Sequence, residues 1–442
     1  MSSKKDETKL DGISRRRMLS HAGLALAGGT LMGVSLPAAR VATERPARAP
    51  VALNVLDFGA AGDGARDDTG AFTAAMQAAV KGGNFAVFVP RGRYLIKDRL
   101  EVPPNVSLEG VFIAPSARNQ NEGSVLLAVA GAGDPAGKPF ITLHTSSTLR
   151  GLTIFYPEQK MKNPPVPYPW TLRGQGDNIS LMDLLLVNPY QAVDFGTFPA
   201  GRHFINGLYG QPLYRGLFID QCYDVGRVEN VHFWSFWGGW NGDLYAFMRA
   251  EGVAFILGRT DWQFLSNCFS IGYHIGYHFI QNKSGPGNCL LTQCGSDVGP
   301  GAVRVEAGQA HAGHSFVNCQ FMAGIEIAES NTGPVKFTAC GFWGIPTTNH
   351  HAVLEGTGHT TFNGCHFISW GQQNKNAPAI LARRGGVTVT ACNFMDADKP
   401  QITLEPEVEA ALIFGNRLRG KERIADHTNG QAQIAMNQAS AK

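Results

Sequence analysis

The second half of the chain repeats a short pattern of apolar, small and polar positions. Each unit combines short apolar strand material with a Cys that has small or polar neighbours, and most units place a Phe just after it. The cysteines recur at intervals of 21 to 27 residues. They are Cys268, Cys294, Cys319, Cys340, Cys365 and Cys392. Segments 229–233 and 415–418 continue the pattern without Cys, and short apolar segments such as 303–305 lie between the units.

A unit of this length cannot bury its apolar side alone, whereas stacked units bury a continuous core. The repeat therefore predicts an all-β solenoid. The repeated Cys would then occupy one inward position on successive turns, about 4.8 Å apart. We interpret these residues as free, buried thiols that act as small hydrophobic side chains. Disulfides would need thiols turned towards each other along the axis. A metal site of the usual kind would need C-x-x-C pairs, and the sequence contains none.

The N-terminal part has a different pattern. Residues 54–69 predict a strand, a glycine-rich turn and the cap of a helix over residues 71–81, with Asp67, Asp68 or Thr69 as capping residue. Two strands follow in residues 85–96. The glycine spacing is not G-x-G-x-x-G, and acidic side chains at the helix start would repel a pyrophosphate, so a dinucleotide site is disfavoured.

This stretch resembles a known family. The motif N-V-x-D-F-G-A-x-G-D-G-x-x-D-D-T, an Ala-rich helix and V-x-V-P-x-G-x-Y are similar to the entry of pectate lyase superfamily proteins related to family-28 glycoside hydrolases. The resemblance covers about residues 54–96. It implies a right-handed parallel β-helix whose N-terminal end is closed by this segment, with a capping helix. It also implies that the acidic residues here are structural.

The chain divides into three parts. We expect a twin-arginine signal and linker in residues 1–49, one β-helix domain in 50–420 and a C-terminal tail or short closing helix in 421–442. Within the domain, residues 50–100 form the N-terminal cap. Residues 156–262 interrupt the repeat with a proline- and aromatic-rich excursion and a Trp-rich one, which predicts long loops on one face.

The segment around Arg15 and Arg16 precedes a weakly apolar, Gly-rich run that is too short for a stable membrane span. We therefore expect export by the twin-arginine route to the periplasm or the extracellular space. Residues 1–49 hold nine of the 38 Lys and Arg and four of the 35 Asp and Glu. The remainder is close to neutral, which argues against nucleic acid as a partner.

Four aspartates are the catalytic candidates: Asp220, Asp224, Asp243 and Asp261. Asp220 follows an alternating strand pattern and should point away from the core. Asp243 comes 23 residues later, close to one turn of the solenoid. Carboxylates one turn apart on the same outer face would be neighbours, as glycosidic cleavage requires. The alternative is that each Asp closes a turn.

Aromatic and basic side chains of the same region are candidates for substrate binding. They are Trp170, Arg215, Tyr223, Trp234, Trp237, Trp240, His274 and His278. Aromatic rings on loops offer flat faces for stacking on sugar rings, although they can equally pack the loops onto the helix. The two histidines are four apart, which on a strand places both on one face. No metal or cofactor is predicted.

These observations predict an exported enzyme acting on a polysaccharide or oligosaccharide, with glycosidic bond hydrolysis as the first hypothesis, of the polygalacturonase or rhamnogalacturonase kind. The complete catalytic set of family 28 is absent, so no catalytic residue is carried over from the resemblance. A polysaccharide lyase or epimerase of uronic-acid glycans and a non-catalytic glycan-binding β-helix remain open. The oligomeric state remains open as well.

Overall fold

The computed structural model describes residues 52–115 and 122–440. The predicted signal and linker, residues 1–49, lie outside the described residues. Within the described part, no helix is both long enough and apolar enough to span a bilayer.

The described chain winds into about 15 turns, and its strands form three sheets that we name A, B and C in chain order. Sheet A contains Leu53–Asn54, Ala86–Val89, Ser107–Gly110, Thr148–Arg150, Gln263–Ser266, Cys289–Thr292, His314–Val317, Val335–Thr338, Thr360–Asn363 and Ala432–Ala435. Sheet B contains Asp63–Asp67, Gly92–Ile96, Ser124–Ala128, Leu152–Phe155, Phe269–Ile271, Gly295–Asp297, Gln320–Phe321, Gly341–Trp343, His366–Ile368, Asn393–Phe394, Arg417–Arg419 and Gln438–Ser440.

Sheet C contains Leu100–Val102, Ile141–His144, Trp170–Gln175, Gln191–Phe195, Arg215–Ile219, Val253–Leu257, Ile275–Phe279, Gly301–Val305, Gly324–Ile327, Ala352–Leu354 and Ile424–Asp426. Five long strands turn a corner. Ser180–Leu186, Phe204–Gly210 and Arg227–Phe233 run from sheet A into sheet B, and Ile380–Thr390 and Ile402–Phe414 run from sheet C into sheet A. Successive turns pair in parallel, so the predicted all-β parallel β-helix is confirmed.

The N-terminal cap is a short 3₁₀ helix, Val55–Phe58, and the α-helix α1, Thr69–Gly82. Phe72, Ala75, Met76 and Ala79 face the core at helical spacing, and α1 stops at Gly83, whose φ of 67° a side chain would disfavour. The carboxylate of Asp68 does not cap the helix; it accepts hydrogen bonds from the backbone N–H groups of Ala61 and Gly62 at 2.6 and 3.1 Å. The acidic residues of this segment are structural, as expected.

The six repeated cysteines, Cys268 to Cys392, form a ladder at the sharp corner between sheets A and B. A residue with positive φ precedes each Cys of the ladder; Asn318, at φ 51°, is one example. The thiol of Cys340 lies 3.4 Å from its own strand's Thr338 carbonyl and 3.5 Å from the Phe316 carbonyl of the previous turn. In the turn after Cys392, the side chain of Asn416 occupies the equivalent corner position. All eight cysteines are free and buried, as predicted.

The core beside the ladder consists of stacked phenylalanines. Phe316, Phe337 and Phe362 follow one another on sheet A, with ring centroids 4.7 and 5.1 Å apart and nearly parallel planes. Each ring therefore fills the space that the turn above and the turn below leave open.

The C-terminal prediction was wrong. Residues 421–440 are neither a loose tail nor a closing helix but form a final turn with one strand in each sheet. Their side chains are polar because this turn has a neighbouring turn on only one side. The polar composition therefore reflects exposure to solvent and not a lack of structure.

The thiol state can be checked directly. Because the eight cysteines are buried and unpaired, the folded protein should react with almost no thiol reagent, and the protein denatured without a reductant should react with all eight. Counting reactive thiols with a chromogenic disulfide reagent before and after denaturation measures both numbers. A count below eight after denaturation would reveal a disulfide.

Three buried histidines should make the fold sensitive to acid. Burial lowers the pKa of His203, His314 and His351 from 6.5 to about 4. Between these values the unfolded chain binds protons that the folded chain excludes, so the free energy of unfolding should fall as the pH drops from about 6.5 to 4, by at most about 3 kcal/mol per histidine. Above pH 7 this contribution should be constant.

Urea unfolding at a series of pH values tests this expectation. His314→Gln should flatten the pH dependence, whereas His311→Gln, at an exposed position, should leave it unchanged. An unfolding free energy that stays level from pH 7 to pH 4.5 in the unsubstituted protein would contradict it.

Candidate functional site on the outer face of sheet C

Long connections flank both edges of sheet C. Residues 156–169 and 234–252 lead from sheet B into sheet C, and the second of these contains the helix α2, Asp243–Glu251. Residues 196–203, 220–226, 258–262 and 280–288 lead out of sheet C into sheet A. The outer face of sheet C therefore lies between two rows of loops, an arrangement typical of a binding face.

A column of ionisable side chains lies on this face. His278, Arg304 and Glu326 are register partners on three consecutive strands, and their chain neighbours Tyr277 and Val305 are buried in the core. The alternation of buried and outward positions along a strand turns all three side chains outwards. One strand spacing separates each from the next, so they form a continuous cluster.

Glu306 joins this cluster where its strand ends. Its Oε1 lies 2.9 Å from His278 Nε2 and 3.1 Å from Arg304 Nε. The same guanidinium reaches Glu326 through Nη1 at 3.0 Å. A single arginine thus holds two carboxylates, with the imidazole beside one of them. We call these four residues the sheet C cluster.

The charge state of Glu306 follows from these contacts. Burial by itself raises the pKa of this carboxyl group, but the hydrogen bonds and positive charges of His278 and Arg304 outweigh burial and lower the pKa. Glu306 is therefore ionised at neutral pH. The side chains of Glu306 and Glu326 are 35% and 39% exposed, so a ligand can reach both carboxylates.

Aromatic side chains lie on the same face and at its entry edge, a few turns towards the N-terminus. The rings of Trp170 and Phe218 stack at 6.2 Å with an interplanar angle of 25°, and those of Tyr190 and Tyr214 stack at 5.1 Å. The Arg215 guanidinium lies 3.5 Å from the Tyr214 ring centroid and donates a hydrogen bond to the Glu251 carbonyl at the end of α2. These surfaces can stack against the apolar face of a sugar.

A buried ion pair lies under these rings. Arg173 Nε donates to Asp194 Oδ2 at 2.6 Å, and Asp194 Oδ1 accepts from the N–H groups of Gly196 and Thr197. The Asp194 side chain has no exposed surface. The pair fixes the loop that leaves sheet C at this turn, so its role is structural.

Asp220 is not an outward carboxylate as predicted but a buried one, 3% exposed, at the corner where its strand ends. Its Oδ1 accepts from the N–H groups of Gln221 and Arg259, and its Oδ2 accepts from Asn282 Nδ2 at 2.8 Å. These bonds tie together three loops that leave sheet C. The turn-closing alternative describes this residue.

Asp224 and Asp261 lie near the same corner in ion pairs. Asp224 Oδ2 accepts from Arg202 at 3.0 Å, and that hydrogen bond lowers its pKa. For Asp261, burial raises the pKa, but hydrogen bonds from Arg259 and Gln309 outweigh it and lower the pKa. Both carboxylates are held ionised by arginines, which suits turn fixation better than proton donation.

The expected pairing of Asp220 with Asp243 does not occur. Asp243 is the first residue of α2, at the edge where the chain enters sheet C, whereas Asp220 lies where the chain leaves it. The interval of 23 residues matched one turn of the repeat, but α2 is an insertion that breaks the register between the two positions.

The structure distributes the predicted binding residues over several places. Trp170 and His278 lie on the outer face of sheet C, and Arg215 lies at the edge where the chain enters this sheet, beside the end of α2. Tyr223 lies in the exit loops below Arg259, Trp240 packs against Tyr245 of α2, and His274 contacts the Arg249 carbonyl. Trp234 and Trp237 belong to the sheet B side. His274 lies just before the strand Ile275–Phe279, whereas His278 lies within it and contacts Glu306.

Sequence reasoning missed Arg304, Glu306 and Glu326 as site residues. It treated segments 303–305 and 325–327 only as strands of the repeat. The detectable signal was a charged residue between two apolar ones, V-R-V and I-E-I, at equivalent positions of neighbouring turns. Among the described residues there is no group of three or more His, Cys, Asp or Glu side chains arranged to hold a metal ion.

Comparisons with known proteins agree with this architecture. Residues 52–169 match the family model described as rhamnogalacturonase A/epimerase, pectate lyase-like. No curated protein sequence matches the chain. The N-terminal fragment of bacteriophage phi29 gene product 12 is similar in structure, with a TM-score of 0.60, 13% identity and coverage of 88% of this chain and 70% of that one.

Two further solved structures are similar. The A-module of mannuronan C-5 epimerase AlgE4 from Azotobacter vinelandii has a TM-score of 0.51 and 12% identity, covering 87% of this chain and 100% of that one. The tailspike protein of E. coli bacteriophage HK620 has a TM-score of 0.53 and 10% identity, covering 88% and 76%. The described chain is thus a parallel β-helix. Its residues 52–169 match a pectate lyase-like family model, which confirms the resemblance predicted for residues 54–96.

The buried ion pair provides a test of what holds the face together. Asp194→Asn should lower the free energy of unfolding by about 3–5 kcal/mol, because it leaves Arg173 without its charge partner in a buried setting. Asp224→Asn, in the exposed pair with Arg202, should lower the free energy of unfolding much less, because water screens this pair. Urea unfolding of both variants measures the difference. Equal losses of unfolding free energy would show that the Asp194 pair contributes no more to stability than an exposed pair.

Proposed function

We propose that the protein is an enzyme that acts on a carbohydrate bound across the outer face of sheet C, and that it hydrolyses a glycosidic bond. The observation that carries this proposal is the sheet C cluster, in which two partly exposed carboxylates share one arginine on a face that also bears stacked aromatic rings. The match of residues 52–169 to the rhamnogalacturonase A/epimerase family model supports a carbohydrate substrate.

Hydrolysis needs two carboxyl groups with different tasks. Glu306 is ionised, so it serves as the base that activates water or as the nucleophile. Glu326 acts as the acid only after a substrate displaces it from Arg304. It then takes up a proton from solvent and donates that proton to the leaving oxygen. Arg304 positions both groups before the substrate arrives.

The charge of the face favours a neutral sugar. Arg304 is matched by two glutamates, and Arg173 is matched by Asp194. A uronic-acid glycan would bring further negative charge without an unpaired cation in this cluster to receive it. The substrate class that fits these pairs is therefore a neutral polysaccharide or oligosaccharide.

A second candidate function follows from His278. In its unprotonated form, an imidazole 2.9 Å from a carboxylate acts as a general base. A lyase or epimerase needs such a base to remove a proton beside a sugar carboxylate. In this alternative Arg304 would bind the sugar carboxylate. A non-catalytic glycan-binding role is the third outcome that the experiments below distinguish.

We also propose that the protein works outside the cytoplasm, after export by the twin-arginine route. This rests on the sequence of the first 49 residues and on the free thiols of the core. A fold that needs no disulfide can form before export. Fusion of residues 1–49 to a reporter, with Arg15 and Arg16 replaced by Lys as control, tests this point.

Glutamine variants test the catalytic assignment. Glu306→Gln and Glu326→Gln should each reduce turnover by at least about a hundredfold, because each removes a group that exchanges a proton or electron pair. Glu329→Gln is the matched control, since this exposed glutamate pairs with Arg384 outside the cluster. Release of reducing ends from neutral polysaccharides and from polygalacturonate gives the rates.

The products separate the alternatives. Unsaturated products from a uronic-acid glycan, lost in His278→Gln, would establish the lyase. A changed uronic-acid configuration without chain cleavage would establish the epimerase. If no glycan is altered but the protein still binds one, the protein is a binding module and the hydrolase proposal fails.

A further inference from the structure

The outer face of sheet B carries a cluster of half-buried rings that the sheet C site does not use. It consists of Phe112, Tyr209, His232, Trp234, Phe236 and Phe269. We call these six residues the aromatic strip. They lie on a different sheet from the sheet C cluster, so they take no part in the proposed reaction.

The strip follows the long axis of the β-helix. Tyr209, His232 and Phe269 are register partners on three consecutive turns, and Leu208, Val231 and Ser270 beside them are buried, so these rings point outwards. Trp234 flanks the line. Its ring stacks on His232 at 4.3 Å with an interplanar angle of 28°.

The line continues past the rings as a polar track. The next register partners after Phe269 are Gly295, Gln320, Gly341 and His366. From Tyr209 to His366 there are six strand spacings, so the track is roughly 29 Å long. An exposed indole, that of Trp343, borders its far end and donates a hydrogen bond to His366 Nε2.

The chemistry of the strip suits an uncharged ligand with hydroxyl groups. None of its six side chains carries a fixed charge, and burial lowers the pKa of His232, so its imidazole is neutral at pH 7. A neutral imidazole has one donor and one acceptor nitrogen. Tyr209 and Trp234 add a hydroxyl and an indole N–H to the flat ring faces.

We propose that the aromatic strip and its polar continuation bind a linear, uncharged glycan lengthwise along sheet B, as a second carbohydrate-binding surface. Ring faces stack on sugar faces at one end, and Gln320 and His366 meet hydroxyl groups at the other. The interspersed Gly295 and Gly341 leave no continuous apolar area of the kind that an interface between two copies of the chain would bury. This inference does not depend on catalysis by Glu306 and Glu326.

The experiment is affinity gel electrophoresis in native gels that contain a linear neutral polysaccharide, either dextran or hydroxyethylcellulose, with polygalacturonate as a charged comparison. All proteins carry Glu306→Gln, so that turnover cannot remove the ligand and activity is not the readout. We expect a neutral polysaccharide to retard the parent. The variant Tyr209→Ala/Trp234→Ala should bind it about tenfold more weakly, since two stacking rings are lost.

Two controls make the result specific. Phe264→Ala removes a 37% exposed ring on the outer face of sheet A and should leave binding unchanged. Trp234→Phe keeps a ring and should retain most of the affinity, which separates loss of stacking from loss of folding. Circular dichroism and thermal unfolding verify that the double variant is folded.

The proposal is overturned if the neutral polysaccharides do not retard the parent, or if the double variant binds as well as the parent. It is also overturned if sedimentation shows that the double substitution dissociates an oligomer, since the strip would then be an interface between copies. Failure of the hydrolase proposal would appear separately, as absence of turnover in the protein that retains Glu306.

Discussion

The register between successive turns is the constraint on which the rest of this molecule depends. Strands pair in parallel with the turn below and the turn above, so a side chain at one position always lies over its equivalent. The sharp corner between sheets A and B preserves this register because one residue per turn, such as Asn318 or Ala339, adopts positive φ. Where the corner has constant length, like side chains stack into ladders of Cys and Phe.

The same constraint makes surfaces as well as a core. On sheet C it places an imidazole, a guanidinium and a carboxylate on neighbouring turns, where the guanidinium pairs with both glutamates. On sheet B it aligns uncharged rings and amides. Two faces of one helix thus have different chemistry although one repeat generates both. The two faces differ because each turn contributes a different part of its sequence to each of the three sheets.

Most of the aspartates predicted to be catalytic fix turns instead. Asp220, Asp224 and Asp261 do lie near one corner of the helix, but their oxygens accept from turn N–H groups and arginines. A short acidic side chain at the end of a strand can satisfy exposed backbone donors, which is why it is common there. The residues with outward carboxylates, Glu306 and Glu326, were hidden in apolar segments that looked purely structural.

Two things followed from the amino-acid sequence without coordinates. The interval of the Cys and Phe positions established a solenoid with buried free thiols, and residues 54–96 established the capped parallel β-helix. Both are local or periodic properties, which survive in a one-dimensional pattern. Which charged residues meet was decided only by the tertiary structure, because insertions such as α2 add residues without adding a turn. Distance along the chain then no longer measures distance along the helix, so Asp243 was separated from Asp220 while His278, Arg304 and Glu326 were brought together.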